Sequence, residues 1–161
     1  MDARARKQAP SFEGHSPSSE RASRTLARVR SEETTCEKQL RRELWRLGLR
    51  YRIHYKGLPG KPDIVFPSAK VAVFCDGDFW HGREWQSRER RLRIGANSSY
   101  WTAKIRANIA RDKRNTLALR KAGWAVIRAW ESDIARDSER IAASIADLVT
   151  RRRSRDQNSH G

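Results

Sequence analysis

Residues 63–76, Asp63-Ile64-Val65-Phe66-Pro67-Ser68-Ala69-Lys70-Val71-Ala72-Val73-Phe74-Cys75-Asp76, decide how this chain folds. Asp63 to Phe66 reads as a short strand, and Pro67-Ser68 as the turn that ends it. Val71-Ala72-Val73-Phe74 is apolar without alternation, so both faces of the second strand should be covered. In an antiparallel hairpin the start of one strand lies beside the end of the other. Asp63 and Cys75-Asp76 are therefore expected to meet at one sheet edge.

Upstream, Thr34-x-x-Glu37 has the pattern of a capping box opening a helix. Leu40, Leu44 and Leu47 continue one face of that helix, and Gly48 ends it. Residues 50–55 (RYRIHY) alternate and predict a further strand. The stretch Gly57-Leu58-Pro59-Gly60-Lys61-Pro62 must be irregular, because its prolines and glycines break regular elements. Downstream, Trp101, Ile105 and Ile109 recur at helical spacing in a long basic helix over about 98–121, stopped by Gly123. Trp124 to Trp130 predicts another buried strand. Ser132 then caps a last helix carrying Ile134, Ile141, Ile145 and Leu148.

This order, helix, three strands, helix, strand, helix, predicts an α/β fold: a central mixed β-sheet flanked by helices on both faces. The first three strands form a meander, and the long helix crosses over to the fourth. Residues 1–30 mix Arg, Ser, Pro and Ala without apolar periodicity and are expected to be a flexible, disordered basic arm. Residues 151–161 (RRRSRDQNSHG) look like a second basic tail, which leaves 31–150 as the folded domain.

The 161 residues suit one domain, and the formal net charge of +16 calls for a polyanionic partner. No apolar run is long enough to span a membrane, and the first residues carry no apolar signal segment. A cytoplasmic, nucleoid-associated protein is expected, with double-stranded DNA as partner, no membrane, and a monomeric state. The charge is concentrated: residues 83–121 hold twelve basic and three acidic side chains. A merely solvated helix face would balance the two more evenly, whereas phosphate binding rewards the excess. Cys36 and Cys75 form no CxxC pair, and a structural disulfide is not expected.

Several residues at the expected sheet edge can carry chemistry. Asp63, with a carbonyl or a second carboxylate opposite, offers the hard oxygen ligands that suit Mg²⁺. Asp after proline is also a common turn residue. His81 titrates near neutrality and can act as general acid or base, or simply pack. Glu37 is a third nearby carboxylate whose capping role already explains it. Phe79-Trp80, in a polar, Gly-containing loop, either wedges between base pairs or plugs the sheet end. Trp101 poses the same question, with helical spacing favouring the core.

At this point the chain resembles a known family. Leu58-Pro59-Gly60-Lys61-Pro62-Asp63-Ile64-Val65, Asp76-Gly77-Asp78-Phe79-Trp80-His81-Gly82, Lys104…Asn108…Arg111-Asp112 and Gly123-Trp124-Ala125-Val126 with Trp130-Glu131 are similar to the very short patch repair (Vsr) endonucleases of the PD-(D/E)XK superfamily. The likeness runs over about residues 22–148. It implies a restriction-endonuclease-like fold and a Mg²⁺-dependent nick beside a T·G mismatch left when 5-methylcytosine deaminates. It implies Asp63 as the central Mg²⁺ ligand, assisted by the Cys75 main-chain carbonyl, and His81 as the catalytic histidine. Asp76 falls where some relatives carry a second catalytic histidine, and here serves as a further ligand or positions water. Glu37 matches a family glutamate near the active site. Phe79, Trp80 and Trp101 match the wedging aromatics, and Lys104, Asn108 and Arg111 are assigned to DNA contact.

One departure concerns zinc. The best-known members hold a structural zinc after the FWH loop, where this chain has Asp78, Arg83, Trp85 and Glu131. Arg and Trp do not ligate zinc. No zinc is expected, so packing or polar contacts must hold the loop. Two other readings stay open: a restriction or defence nuclease with the same core, and a non-catalytic DNA-binding relative.

Overall fold

The structure, a computed structural model, describes residues 34–92 and 98–158. The expected arm at 1–30 lies outside them. The elements are helix α1 (Thr35–Arg46), strand β1 (Ile64–Phe66), a 3-10 turn (Pro67–Ala69), β2 (Val71–Asp76), α2 (Trp85–Leu92), α3 (Ser98–Lys121), β3 (Ala125–Trp130) and α4 (Glu131–Asn158). Among the described residues the sheet has order β1-β2-β3, with β1 antiparallel and β3 parallel to β2. The mixed sheet of the sequence reading is therefore present, and α3 is the crossover that a parallel pair requires.

Alternation along β2 divides the core. Val71 and Val73 face one side, where Ile64, Phe66, Leu40, Leu44, Ile134 and Ile145 close a large apolar cluster between α1, α4 and the sheet. Ala72 and Phe74 face the other side and meet Leu119 of α3, with Leu58, Trp124 and Val126 at the margin. Both faces of β2 are covered, as its unbroken apolar run requires. Fully burying each Leu or Ile contributes roughly 1.5–3 kcal/mol. The α1–α4 side holds far more of them, so it carries most of the stability and leaves the α3 side room for polar groups.

Several local expectations are corrected. The strand at 50–55 shrinks to a single antiparallel bridge between Arg52 and Val65. His54 sits at a φ of 50°, which no extended strand tolerates, and Arg52, Ile53 and His54 are exposed. The meander is thus a hairpin plus one bridge. Leu47 is 44% exposed rather than buried. The helix stops at Arg46, the chain reverses through Gly48 (φ 78°), and Leu49 takes the core position instead. β3 is only half-buried apart from Ala129, because it is the sheet edge. Helix α2 was not expected from periodicity, and none of its residues is buried.

The last helix departs most from expectation. It begins at Glu131, so Ser132 is no cap. Asp137 interrupts the helix, and its Oδ1 accepts from the Arg140 amide at 3.0 Å, capping the segment that follows. Nor does the fold end at residue 150. Helix α4 continues through the supposed tail, where the Arg152 guanidinium donates to the Ala69 carbonyl and the Gly123 carbonyl, each at 2.7 Å. These contacts tie the helix to the β1–β2 turn and to the α3–β3 corner, so residues 151–158 are part of the domain.

Candidate active site

The hairpin brings Asp63 and Cys75 together as strand order requires. The Asp63 amide donates to the Val73 carbonyl at 3.0 Å, and the Cys75 amide donates to Asp63 Oδ2 at 2.7 Å. In an extended strand the N–H and C=O of one residue point to the same edge. The Cys75 carbonyl therefore faces the Asp63 side, the geometry the sequence reading expected.

Burial pushes the Asp63 carboxyl up to about 6. The Cys75 amide and His81 pull the other way, while the charges of Glu37 and Asp76 reinforce burial. Glu37 approaches from the first turn of α1, where it is buried beside the N-cap: Thr34 Oγ1 donates to its Oε1 at 3.0 Å and accepts from its amide at 3.4 Å. It is both a partner of the Thr34 cap and a carboxylate within electrostatic reach of Asp63. The Cys75 thiol is also pushed up, first by burial and then by the Asp63 charge. It is therefore neutral, and the contribution of this residue is its main chain.

Asp76 points to the opposite side of β2, next to Arg128 of β3. Strand β3 is in register with β2, Phe74 opposite Arg128 and Asp76 opposite Trp130, so Arg128 and Asp76 are diagonal neighbours on the α3 face. Arg128 Nε donates to Asp76 Oδ2, and Nη2 to Oδ1 at 2.7 Å. Both oxygens of this 2%-exposed residue are engaged. Asp76 therefore belongs to a polar network rather than to the Asp63 edge.

His81 joins that network. Its Nδ1 lies 2.6 Å from Asp112 Oδ2 of α3 and 3.5 Å from Asp76 Oδ1. Arg128 Nη2 stands 3.2 Å from Asp112 Oδ2 as well. Burial would raise the Asp112 carboxyl, but the His81 hydrogen bond and the Arg128 charge outweigh it and hold it below the usual value. With Nδ1 committed to a carboxylate, Nε2 is the ring nitrogen left to meet a substrate. A cavity of about 400 Å³ opens beside His81, Asp112 and Arg128, with Lys113 and Arg120 of α3 also in its wall.

The aromatic residues form one cluster. Ring centroids lie 5.1 Å apart for Phe79–Trp80, 6.2 Å for Phe79–Trp101 and 5.8 Å for Trp80–Trp101. All three side chains are half-buried, so they are neither core nor free. Lys104 Nζ lies 5.7 Å from the Trp80 centroid, a cation over an aromatic face. Asn108 donates to the Trp80 carbonyl at 3.1 Å and so fixes the loop, while Arg111 is exposed on the same helix.

At Asp78 and Arg83 the loop is fastened by polar contacts. Arg83 donates to Asp133 Oδ1 at 3.0 Å, to Ser132 Oγ, and to Asp78 Oδ1 at 3.5 Å. It links the loop to the first turn of α4. The loop is also seated on α3 at Gly82 (φ 73°), where any Cβ would collide with Ile109.

Sequence reading did not place Asp112 or Arg128 in the site. Both leave a signal: Arg128 is a charged residue inside the otherwise apolar run 124–130, and Asp112 is the only acid in the strongly basic α3. Among the described residues no three His, Cys, Asp or Glu side chains converge as a metal cage. Mg²⁺ needs none, since it commonly takes one or two protein oxygens and fills its shell with water and phosphate oxygens.

The chain is similar to known proteins over most of its length. The family described as DNA mismatch endonuclease Vsr matches residues 15–87. The type II nicking enzyme V.NmeDIP of Neisseria meningitidis serogroup C is 42% identical over 120 residues, 74% of this chain and 80% of the relative. V.XorIIP, a type II nicking enzyme of Xanthomonas oryzae pv. oryzae, is 43% identical over 120 residues, covering 73% and 84%. The DNA mismatch endonuclease Vsr of Escherichia coli K12 is 31% identical over 110 residues, 68% of each chain. The class that the family match and the relatives define is that of the DNA endonucleases, hydrolases of the phosphodiester bond. Within that class, the chain belongs to the Vsr family.

Proposed function

We propose that this endonuclease cuts one strand of duplex DNA beside a T·G mismatch, with Mg²⁺ held by Asp63 and the Cys75 carbonyl. The observation that carries this reading is the Asp63 edge itself: a desolvated carboxylate that accepts from the Cys75 amide, at the edge to which strand geometry also turns the Cys75 carbonyl. When bound there, Mg²⁺ would polarise a phosphate oxygen and acidify a coordinated water. The Cys75 amide anchors one Asp63 oxygen in place, and Glu37 keeps the edge electronegative. His81, held at Nδ1 by Asp112, moves a proton at Nε2 as general acid or base. Asp76 Oδ1 and Arg128 Nη2 each stand 3.5 Å from the same ring nitrogen.

Mismatch selectivity is assigned to Phe79, Trp80 and Trp101. A T·G pair stacks less firmly than a matched pair, so an aromatic wedge opens it at lower cost. Lys104 and Arg111 supply phosphate contacts beside the wedge. A monomer suffices, because one strand is cut by one site. The names of the nicking relatives favour single-strand cleavage but leave a restriction-type target as the second reading.

A nicking assay on T·G, other mismatched and fully matched duplexes, with Mg²⁺ or with EDTA, tests this. Selective nicking of the T·G duplex that EDTA stops is the expected result. Equal nicking of matched duplex would sink the mismatch reading, and undiminished nicking in EDTA would sink the metal.

A further inference from the structure

We propose that Arg128 is a positioning residue for His81, deciding which of two carboxylates holds the imidazole. The geometry sets up a competition. His81 Nδ1 has Asp112 Oδ2 at 2.6 Å and Asp76 Oδ1 at 3.5 Å. One nitrogen with one proton cannot serve two carboxylates equally, and the ring orientation follows the winner. Asp76 is the more deeply buried of the two, with a side chain 3% exposed against 14% for Asp112. A buried carboxylate without a cation draws the nearest positive group.

Arg128 removes Asp76 from that contest. Its Nε and Nη2 take both Asp76 oxygens in the paired arrangement a guanidinium favours, and Nη2 also lies 3.2 Å from Asp112 Oδ2. The guanidinium is itself fixed: it lies 4.7 Å from the Phe74 ring centroid, and Nη1 donates to Thr116 Oγ1 at 3.5 Å. β2, β3 and α3 thus each contribute to a rigid frame around one imidazole. A lysine cannot reproduce it, having one nitrogen and no fork.

The inference rests on His81 acting in DNA cleavage, and the experiment separates the two. Single-turnover nicking and DNA affinity are measured for the wild type, Arg128→Met, Arg128→Lys and the double variant Asp76→Asn/Arg128→Met, well below each melting temperature. The His81 ring nitrogens are followed by ¹⁵N NMR in free protein. Arg128→Met is expected to slow nicking about thirtyfold, part of the roughly 10²–10⁴ a general acid or base supplies, with affinity changed less than about threefold. Its His81 Nδ1 signal should shift as the ring turns to Asp76. Deleting the competing charge in the double variant should restore the signal and at least about tenfold of the rate. A role confined to holding the fold would move stability in the single variant without moving the His81 signal. The inference is overturned if Arg128→Met nicks at the wild-type rate, or if the double variant is no faster and its His81 signal stays displaced. If Arg128→Met does not fold, Arg128→Lys carries the test: a normal rate and signal would overturn the inference. Absence of nicking in the wild type would fault the nuclease reading, and the NMR result would still decide the role of Arg128.

Discussion

Half-buried Asp63 and fully buried Asp76 are carboxylates at the same end of adjacent strands, yet they live in opposite electrostatic conditions. Asp76 has both oxygens on one guanidinium. Asp63 has one backbone amide, and among the described residues no cation bridges it; burial and two neighbouring carboxylates push it up to about 6. The first is satisfied by the protein, while the second is left for something the protein does not supply. The contrast ties Asp76 to Arg128 and leaves Asp63 as the carboxylate on which the Mg²⁺ proposal rests.

The largest way to break this contrast is through activity. Asp63→Ala should reduce nicking by about 10³-fold or more, since a metal worth several kcal/mol is lost at ~1.36 kcal/mol per decade. Binding to T·G duplex, read by gel shift, should persist. Nicking within tenfold of wild type would remove Asp63 from the chemistry.

Stability should sharpen it next, with opposite signs at the two positions. Folded Asp63 binds its proton more tightly than an unfolded aspartate, about 6 against 3.8. Its contribution to stability is therefore fully present below about pH 4 and lost as pH rises through 6. The ionised form at pH 7.5 costs up to about 3 kcal/mol. Asp63→Asn, which keeps an acceptor for the Cys75 amide, should stabilise the metal-free protein at pH 7.5 by up to that amount and by nothing near pH 3.5. Asp76→Asn should instead destabilise by about 2 kcal/mol, less than the ~3–5 of a fully broken buried pair because Asp112 still faces Arg128. Urea melts at two pH values check both; equal signs would erase the distinction.

Mg²⁺ gives a smaller effect on the same axis. It should raise the wild-type melting temperature, by about 1.4 kcal/mol of added stability when the free ion stands at tenfold its Kd, and leave Asp63→Asn unmoved. The smallest effect concerns the wedge. Trp80→Ala should weaken T·G binding by about 1–2 kcal/mol and matched binding less, so the ratio of the two affinities falls. An unchanged ratio would make the cluster a plug of the sheet end.

The hairpin, and with it the Asp63–Cys75 contact, was legible because strand pairing is a consequence of local order: turn, apolar run, turn. His81 and the aromatic trio were legible as unusual residues in one loop. The partners of Asp76 and His81 were not, because Asp112 and Arg128 come from elements 31 and 52 residues away whose rotation about the sheet no local pattern fixes. Leu47 and Ser132 misled for a related reason. Spacing says which residues share a face, but an element's true end decides whether that face continues. The basic run at 151–155 read as a tail because its charge hid the fact that one arginine, Arg152, has two backbone carbonyls to cap.

The crossover through α3 also governs when the enzyme is assembled on the ribosome. A nascent chain emerges from its N-terminus, and segments that can fold do so in that order. Asp63, Asp76 and His81 emerge early, but the parallel partner of β2 and the guanidinium of Arg128 come only after a 24-residue helix, and the α4 wall of the core comes last. A prematurely ended chain therefore carries Asp63 and His81 without the frame that holds the imidazole.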